Sequence, residues 1–451
     1  MQVTSTKKEI WTMGSYSLLT LAIMVGFMYL NTFATEVLFI PAATLATALL
    51  VARLIDFGVS LLAGAIIEKV KIGKKGKNQC WLYVGRWILA VTIMLEVCNT
   101  SMAPMVVRVA VLAVSYTVLN SLMNVIQTAY YGVLGAVAGP NPANRNAMTV
   151  NMTRQMTVIT LICSFIPTLV TVLPFGSWNY FVVAVVFMLP MPFALGMIAD
   201  AADGKDLPVG EGPAGATVSV GDMFGTLLQN PQLLILFLAF TILYTAQFMY
   251  QANYTYYFIY IVGDFTKLTV ATLISAIVGL VAAMIMPKVG AKMGKKNACV
   301  FGFCLFGIGL IAVSFLGEKS WIFYVVCMAV TAFGTYTYTP YAVIMFMDCG
   351  EYFLWKTGKD TRAVAAGLAS PPMKIGMALG GSIGLYLLNS TGYIAGFMPD
   401  AAWAGSFMRA CFMVPGLVYI AAGVFLLLFY KLSDADAAKY AQENAEKMAQ
   451  K

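Results

Sequence analysis

Apolar runs follow one another along almost the whole chain and are separated by short polar or basic stretches. A helix needs roughly 20 apolar residues to cross a hydrocarbon core, because backbone groups cannot stay unpaired in lipid. We therefore expect an all-α integral membrane protein. The runs predict twelve transmembrane helices, near residues 11–34, 43–67, 80–101, 105–136, 154–174, 178–198, 231–260, 268–287, 298–316, 320–347, 364–388 and 407–431.

The spacing of these runs divides the chain into two halves. Residues 199–230 are rich in Gly, Ala, Asp and Pro, which is typical of a flexible linker, and we expect this one to be cytoplasmic. The linker would separate an N-terminal six-helix bundle, 1–198, from a C-terminal one, 231–431. Residues 432–451 are alanine-rich with mixed charge and favour a helical cytoplasmic tail.

A short internal sequence repeat supports the division into halves. Gly73-Lys74-Lys75 follows the second predicted helix, and Gly294-Lys295-Lys296 follows the eighth. Matched turns in corresponding loops predict a duplicated fold. The alternative is that both loops are basic only because both face the cytoplasm.

The positive charge is concentrated in loops on one side of the predicted membrane domain. The chain has 28 Lys and Arg against 20 Asp and Glu, and the basic clusters follow the second, eighth and tenth helices. The positive-inside rule places these loops and both termini in the cytoplasm. We expect a multi-pass monomer in the lipid bilayer of the inner (plasma) membrane, with a small-molecule substrate and no nucleic-acid partner.

Residue usage argues against enzymatic chemistry. The sequence contains no histidine, which removes His-ligated metal sites and Ser-His-Asp triads. Its eight cysteines occur singly, as small buried apolar side chains do, and there is no phosphate-binding Gly-x-x-x-x-Gly-Lys-Ser/Thr loop. We expect neither an enzyme nor a cofactor nor a metal site.

A few charges fall inside the predicted spans, where each costs about 2.5–3.5 kcal/mol unless it faces a cavity or a partner. Arg53 and Asp56 lie one turn apart on the second helix, and Lys374 lies on the eleventh. Two interpretations stay open: Asp56 forms a local ion pair with Arg53, or Lys374 provides the countercharge for Asp56. Three further charges, Glu96, Arg108 and Arg409, lie near predicted outer ends, where we expect Glu96 to be exposed and the two arginines to extend to the membrane interface.

Four segments share their order and spacing with the motifs of one transporter family. They are Arg53-Leu-Ile-Asp56 with Gly64, Tyr130-Tyr131-Gly132-Val133-Leu134 with Arg145 and Arg154, Asp348-Cys-Gly350-Glu351-Tyr352 in a predicted loop, and Lys374-Ile-Gly376-Met-Ala-Leu-Gly380-Gly381. The chain thus resembles the glycoside–pentoside–hexuronide:cation symporter family of the major facilitator superfamily. The resemblance implies two six-helix bundles around a central cavity, with Arg53, Asp348 and Glu351 as motif charges.

The resemblance also implies a cation site, from which this chain departs. Family members that use sodium place two acids at i and i+4 on the second helix, with an asparagine between them and an oxygen from the fourth helix. This chain keeps Asp56, but it has Val59 and Ser60 at the asparagine and second acid positions and Asn124 on the fourth helix. A single buried carboxylate suits a proton better than sodium. We expect coupling to H⁺ rather than Na⁺ through Asp56, Ser60, Asn124 and Lys374.

The implied substrate site departs from the family as well. Acidic positions on the first and fourth helices become Thr20 and Gln127, whereas Tyr131 keeps an aromatic position and Arg154 a basic one. Tyr254, in a tyrosine- and amide-rich seventh helix, and Lys374 complete the candidate substrate-binding residues. Tyrosines stack on sugar rings, but they also occupy membrane interfaces and helix contacts.

The sequence therefore predicts a secondary transporter that couples a cation to the symport of a sugar, a glycoside or a similar polar solute by alternating access. The alternative is a major facilitator transporter of a non-sugar organic solute, such as an organic acid, an aromatic or a lysolipid-like molecule, acting without coupling or in efflux.

Overall fold

The computed structural model describes residues 3–209 and 220–449, so residues 210–219 of the predicted linker lie outside it. The regular elements in the described ranges are helices. Twelve of them have the length of a membrane span: α1 (Lys7–Val37), α2 (Ala42–Lys69), α3 (Lys77–Glu96), α4 (Met105–Ala138), α5 (Pro142–Val172), α6 (Gly176–Ala201), α7 (Pro231–Ile261), α8 (Lys267–Met293), α9 (Lys295–Leu316), α10 (Trp321–Thr357), α11 (Pro371–Ser390) and α12 (Ala401–Phe429).

The apolar runs predict the number and order of these helices, but α5 begins at Pro142 rather than near 154, and α11 begins at Pro371 rather than near 364. Ten of the twelve combine sufficient length with high hydropathy. The other two, α3 and α11, are more polar, but each has 20 residues and so measures about 30 Å, the thickness of a hydrocarbon core. The predicted all-α, multi-pass membrane architecture is confirmed.

The described chain packs as two compact units. Their bounds are Met1–Thr217 with Phe265–Val270 for the first and Val218–Asp264 with Ala271–Lys451 for the second. The bundle boundaries predicted at 198 and 231 remain predictions.

The two units repeat the same helix pairs. In the first unit α1 packs on α5 and α6, and α3 packs on α4 and α6. In the second unit α7 packs on α11 and α12, and α9 packs on α10 and α12. Each of these four pairs in the first unit has its counterpart six helices later, as expected for a duplicated six-helix fold.

Glycines bring the helices of the second unit into close contact. A Cβ on Gly307 of α9 would lie 2.6 Å from the carbonyl oxygen of Gly416 on α12, and one on Gly302 would lie 2.6 Å from that of Gly334 on α10. Gly380 of α11 faces the backbone of α7 at Thr245 in the same way. Such crossings depend on small residues, since association in lipid relies on close packing rather than on the hydrophobic effect.

The tenth helix is longer than the sequence predicts. We expected a helix at 320–347 and a loop carrying Asp348 and Glu351, but the helix continues to Thr357 and ends at Gly358, whose φ is +75°. Buried apolar residues recur at helical spacing through this stretch, at Phe346, Cys349, Phe353 and Leu354. The loop assignment was therefore wrong, because the polar residues between these positions lower the mean hydropathy without interrupting the helical period.

The predicted tail forms a helix, α13 (Asp434–Ala449), which packs against α10. The Trp355 and Tyr440 rings lie 4.4 Å apart, and the Trp355 indole N–H donates to Glu443 at 2.6 Å. The tail is thus held by specific contacts on the second unit.

Candidate functional site

Asp56 and Asn124 meet between α2 and α4 in the first unit. Asp56 is 1% exposed, and the Asn124 Nδ2 donates to its Oδ1 at 2.5 Å. The same amide donates to the Asn120 carbonyl at 3.0 Å, and Asn120 donates to the Tyr116 carbonyl at 2.8 Å. Three polar residues spaced four apart thus form one line along α4 and end at the Asp56 carboxylate.

Arg53 lies one turn before Asp56 but turns towards Tyr116. Its Nε donates to the Tyr116 hydroxyl at 3.1 Å, and its guanidinium carbon lies 5.8 Å from the centre of that ring. Among the described residues Arg53 forms no ion pair with Asp56, and its buried Nη1 has no hydrogen-bond partner. The local pair of Arg53 with Asp56 is therefore not the arrangement that the structure contains.

Ser60 lies one turn after Asp56 on the same helix. Its hydroxyl donates to the Phe57 carbonyl at 2.7 Å, so its proton is directed at the backbone of α2 and not at Asp56. Within the first unit, the structure places the Asn124 amide nitrogen against the Asp56 carboxylate.

The candidate substrate residues of the first unit fall on α1, α4 and α5. On α4, Asn124, Gln127 and Tyr131 are spaced to share one helix face; Gln127 is exposed and Tyr131 is 51% exposed. Thr20 of α1 is half-buried, and Arg154 of α5 is exposed. Gln127 and Tyr131 are therefore on the surface of the first unit, whereas Asp56 is enclosed.

An aromatic contact that the sequence did not indicate joins α1 to α4. Tyr16 and Tyr130 stack with ring centres 3.9 Å apart, and Tyr130 lies 5.3 Å from Tyr131. The Tyr130 hydroxyl donates to the Met13 carbonyl at 2.9 Å. Tyr16 lies one helical turn before Thr20, so the sequence spacing already places it on the same helix face as a candidate substrate residue.

In the second unit the candidates Tyr254 and Lys374 have different surroundings. Tyr254 is 6% exposed and lies 5.8 Å from the Tyr250 ring, within a cluster that also contains Tyr324, whose hydroxyl is 2.7 Å from that of Tyr250. Lys374 is half-buried in the first turn of α11. The burial of Tyr254 favours a packing role, one of the two interpretations open for the tyrosines.

The motif carboxylates Asp348 and Glu351 connect several elements at one end of the second unit. Lys295, at the start of α9, pairs with Asp348 and also lies 3.7 Å from Asp434 of α13. Glu351 receives Arg362 at 3.3 Å and the Asn444 amide of α13 at 2.8 Å. These charges hold the ends of α9, α10 and α13 together.

Exposed ion pairs occur outside the spans in both units. Arg362 binds Asp360 with two hydrogen bonds of 2.9 and 2.6 Å, and these hold the pKa of the Asp360 carboxyl below its usual value. In the first unit hydrogen bonds from Gln79 and then Lys75 lower the pKa of Asp203. Both carboxylates are therefore charged at neutral pH.

The burial of Glu96, at the end of α3, differs from what the sequence predicts. We expected an exposed position at the outer end of the span, but Glu96 is only 3% exposed and packs against Gly26 of α1. The expectation was wrong because Gly26, which has no side chain, lets α1 pack directly against the Glu96 carboxyl group at the end of α3.

The family described as MFS/sugar transport protein matches residues 13–434 of this chain. The chain belongs to this family. The match confirms the predicted resemblance and the major facilitator fold, and it makes the chain a transport protein. The matched range extends from within α1 to beyond the end of α12.

Curated relatives match over nearly their full lengths. An isoprimeverose transporter of Lactiplantibacillus pentosus is 26% identical over 459 residues, covering 96% of this chain and 92% of the relative. A glucuronide carrier protein homolog of Escherichia coli (strain K12) is 24% identical over 420 residues, covering 92% and 90%.

Solved structures share the fold at low identity. A bacterial homolog of the human lysosomal transporter Spinster, in an inward-facing and unoccupied conformation, aligns with a TM-score of 0.67 and 12% identity over 98% of this chain and 99% of its own. The nucleoside transporter NupG aligns with a TM-score of 0.65 and 12% identity over 95% and 100%. At this identity the likeness supports the fold alone.

Proposed function

We propose that this family member is a secondary transporter that carries a sugar, a glycoside or a similar polar solute by alternating access, coupled to protons in preference to sodium. Its full-length relatives include transporters named for isoprimeverose and glucuronide. Both names denote glycosidic solutes with many hydroxyl groups. The exposed Gln127 and Tyr131 on α4 suit such a solute, because an amide hydrogen-bonds hydroxyls and an aromatic ring stacks on a sugar face.

The observation that carries the ion preference is the contact between Asp56 and Asn124. Sodium is a hard cation and takes oxygen ligands, but Asn124 presents its amide nitrogen to the carboxylate. A proton needs only the carboxylate. Asp56 is therefore the proposed coupling group, Asn124 positions it, and Lys374 and Thr20 stay candidates on sequence grounds.

Several further features belong to the same proposal. The basic loops after α2, α8 and α10 support cytoplasmic termini in an inner (plasma) membrane. We propose that the protein is a monomer and is not an enzyme. Its proposed ligands are the coupling ion and the transported solute, and it uses no cofactor. Arg154 and Tyr254 stay candidate substrate residues.

The test is uptake by cells or proteoliposomes that contain the protein, with a panel of mono-, di- and oligosaccharides and glucuronides. Each solute is measured with sodium, with sodium replaced by potassium, and with a protonophore. We expect accumulation of at least one glycosidic solute that survives sodium replacement and collapses with the protonophore. Accumulation that requires sodium would overturn the ion preference. Transport of organic acids or amphiphiles without any sugar would overturn the proposed substrate class.

A further inference from the structure

Glu96 is a buried carboxyl group that the proposed transport cycle does not yet use. It is the last residue of α3 and is 3% exposed. Its side chain fills the space beside Gly26 on α1, where an added Cβ would lie 2.7 Å from the Glu96 Cδ. Glycine at position 26 is therefore what allows the carboxyl group to pack against α1.

The Glu96 carboxyl has no hydrogen-bond or ion-pair partner in the part of the chain that the structure describes. Thr92, one turn earlier on α3, donates to the backbone at Ile88 and Leu89. The charged groups on the surrounding helices have other partners or lie far from it along the helix. The two arginines bind backbone carbonyls: Arg86 on α3 that of Pro192, and Arg108 on α4 those of Leu38 and Ala103. Of the acids, Asp56 on α2 accepts from Asn124, Asp200 on α6 binds Tyr83, and Glu36 lies ten residues after Gly26 on α1.

These surroundings determine the protonation state of the packed side chain. An ionised carboxylate that is removed from water without a partner costs several kcal/mol, so the neutral form is favoured. Glu96 ends α3, so the carboxyl group lies at one end of the span, where the chain leaves the helix. A small separation of α1 from α3 would hydrate the carboxyl group and allow it to ionise.

We propose that Glu96 is a second proton-exchanging group of the first unit, separate from Asp56. It holds a proton while α3 packs against Gly26 and releases that proton to water when α1 and α3 separate. The proton returns from water when the helices pack again. This inference rests on the proposed function and adds one condition to it, namely that α1 and α3 separate within the first unit during transport.

The first test reads the carboxyl group directly and needs no substrate. Infrared spectra of the purified full-length protein are recorded as a function of pH, and the C=O stretching band of protonated carboxyl groups is followed. We expect Glu96→Gln to remove a component of this band that titrates in the wild-type protein. Glu68→Gln is the matched control, since Glu68 lies at the exposed end of α2 and pairs with Lys77 at 2.5 Å, and it should leave that component unchanged.

Gly26→Ala tests the geometry without removing the carboxyl group. The added methyl occupies the space of the Glu96 carboxyl, so we expect the titrating component to shift in pH while it remains present. Thermal unfolding of each variant establishes that the protein is folded. A band that Glu96→Gln leaves intact, or a component that stays protonated over the whole pH range, would overturn the proposal.

The second test measures uptake of the solute found by the substrate panel as a function of pH. We expect Glu96→Gln to flatten the pH dependence of uptake relative to wild type and Glu68→Gln. A loss of the infrared component with an unchanged uptake profile would show that the proton on Glu96 takes no part in transport, and it would contradict the proposal. Failure of the proposed function appears differently, as absence of uptake in the wild type while the infrared titration remains measurable.

Discussion

The Asn124 amide donates to the buried Asp56 carboxylate at 2.5 Å and ties α4 to α2 at the proposed coupling group. Asp56→Asn keeps the size of the side chain but removes its ability to gain and lose a proton. We expect uphill accumulation to fall by roughly tenfold or more, while downhill exchange of the solute continues, because the enclosed Asp56 is not among the candidate substrate-binding residues. Proteoliposomes with and without a proton gradient separate the two activities. Accumulation at the wild-type level would exclude Asp56 as the coupling group.

The stability of the first unit provides an independent measure of the same contact. Asn124→Ala leaves the buried Asp56 without this donor, and the loss of a hydrogen bond to a charged group costs about 1.5–3 kcal/mol. We expect a lower unfolding temperature for the purified variant. Gln127→Ala is the control, because Gln127 lies on the same helix but is exposed. Equal unfolding temperatures for the two variants would show that the contact contributes little to stability.

The crossing of α7 and α11 depends on Gly380. A Cβ at this position would overlap the Thr245 carbonyl, and a backbone atom cannot move aside as a flexible side chain can. We expect Gly380→Ala to destabilise the protein by about 1–3 kcal/mol, the usual cost of overpacking. Gly135→Ala is the matched control, since an added Cβ there meets no atom within 4 Å. Thermal unfolding compares the two, and equal stability would contradict the close approach.

The pair of Arg362 with Asp360 gives a prediction for pH. Because the hydrogen bonds from Arg362 lower the pKa of Asp360, the stabilisation is present at neutral pH and is lost as the pH falls through the lowered pKa. We expect amide hydrogen exchange in residues 358–362, corrected for its intrinsic pH dependence, to become faster in that acidic range. Asp360→Asn should remove the added acid sensitivity. The same pH response in both proteins would assign it to another group.

The fold could be predicted because membrane spans leave a strong signal in hydropathy, and even α3 and α11 were found from their length and spacing. The contact of Asp56 with Asn124 followed from a resemblance, whose motif places both residues on neighbouring helices. The direction of the Ser60 hydroxyl and the burial of Glu96 could not be predicted, since each depends on a rotamer or a neighbouring helix. Asp348 and Glu351 were misplaced in a loop because polar residues at a helix end resemble a loop in hydropathy.

The docking of α13 on α10 depends on few contacts and can be released by one substitution. The Asn444 amide donates to both the main-chain oxygen and the Oε2 of Glu351, at 3.0 and 2.8 Å. Asn444→Ala removes both bonds and leaves Glu351 with Arg362 alone among the described residues, so α13 should detach more often. We expect limited proteolysis to cut within 434–449 several-fold faster than in wild type, since cleavage follows the population of the open form. Gln442→Ala, on the exposed side of α13, should be cut at the wild-type rate. Equal cleavage of both variants would mean that the stacking of Trp355 on Tyr440 is sufficient to hold the helix.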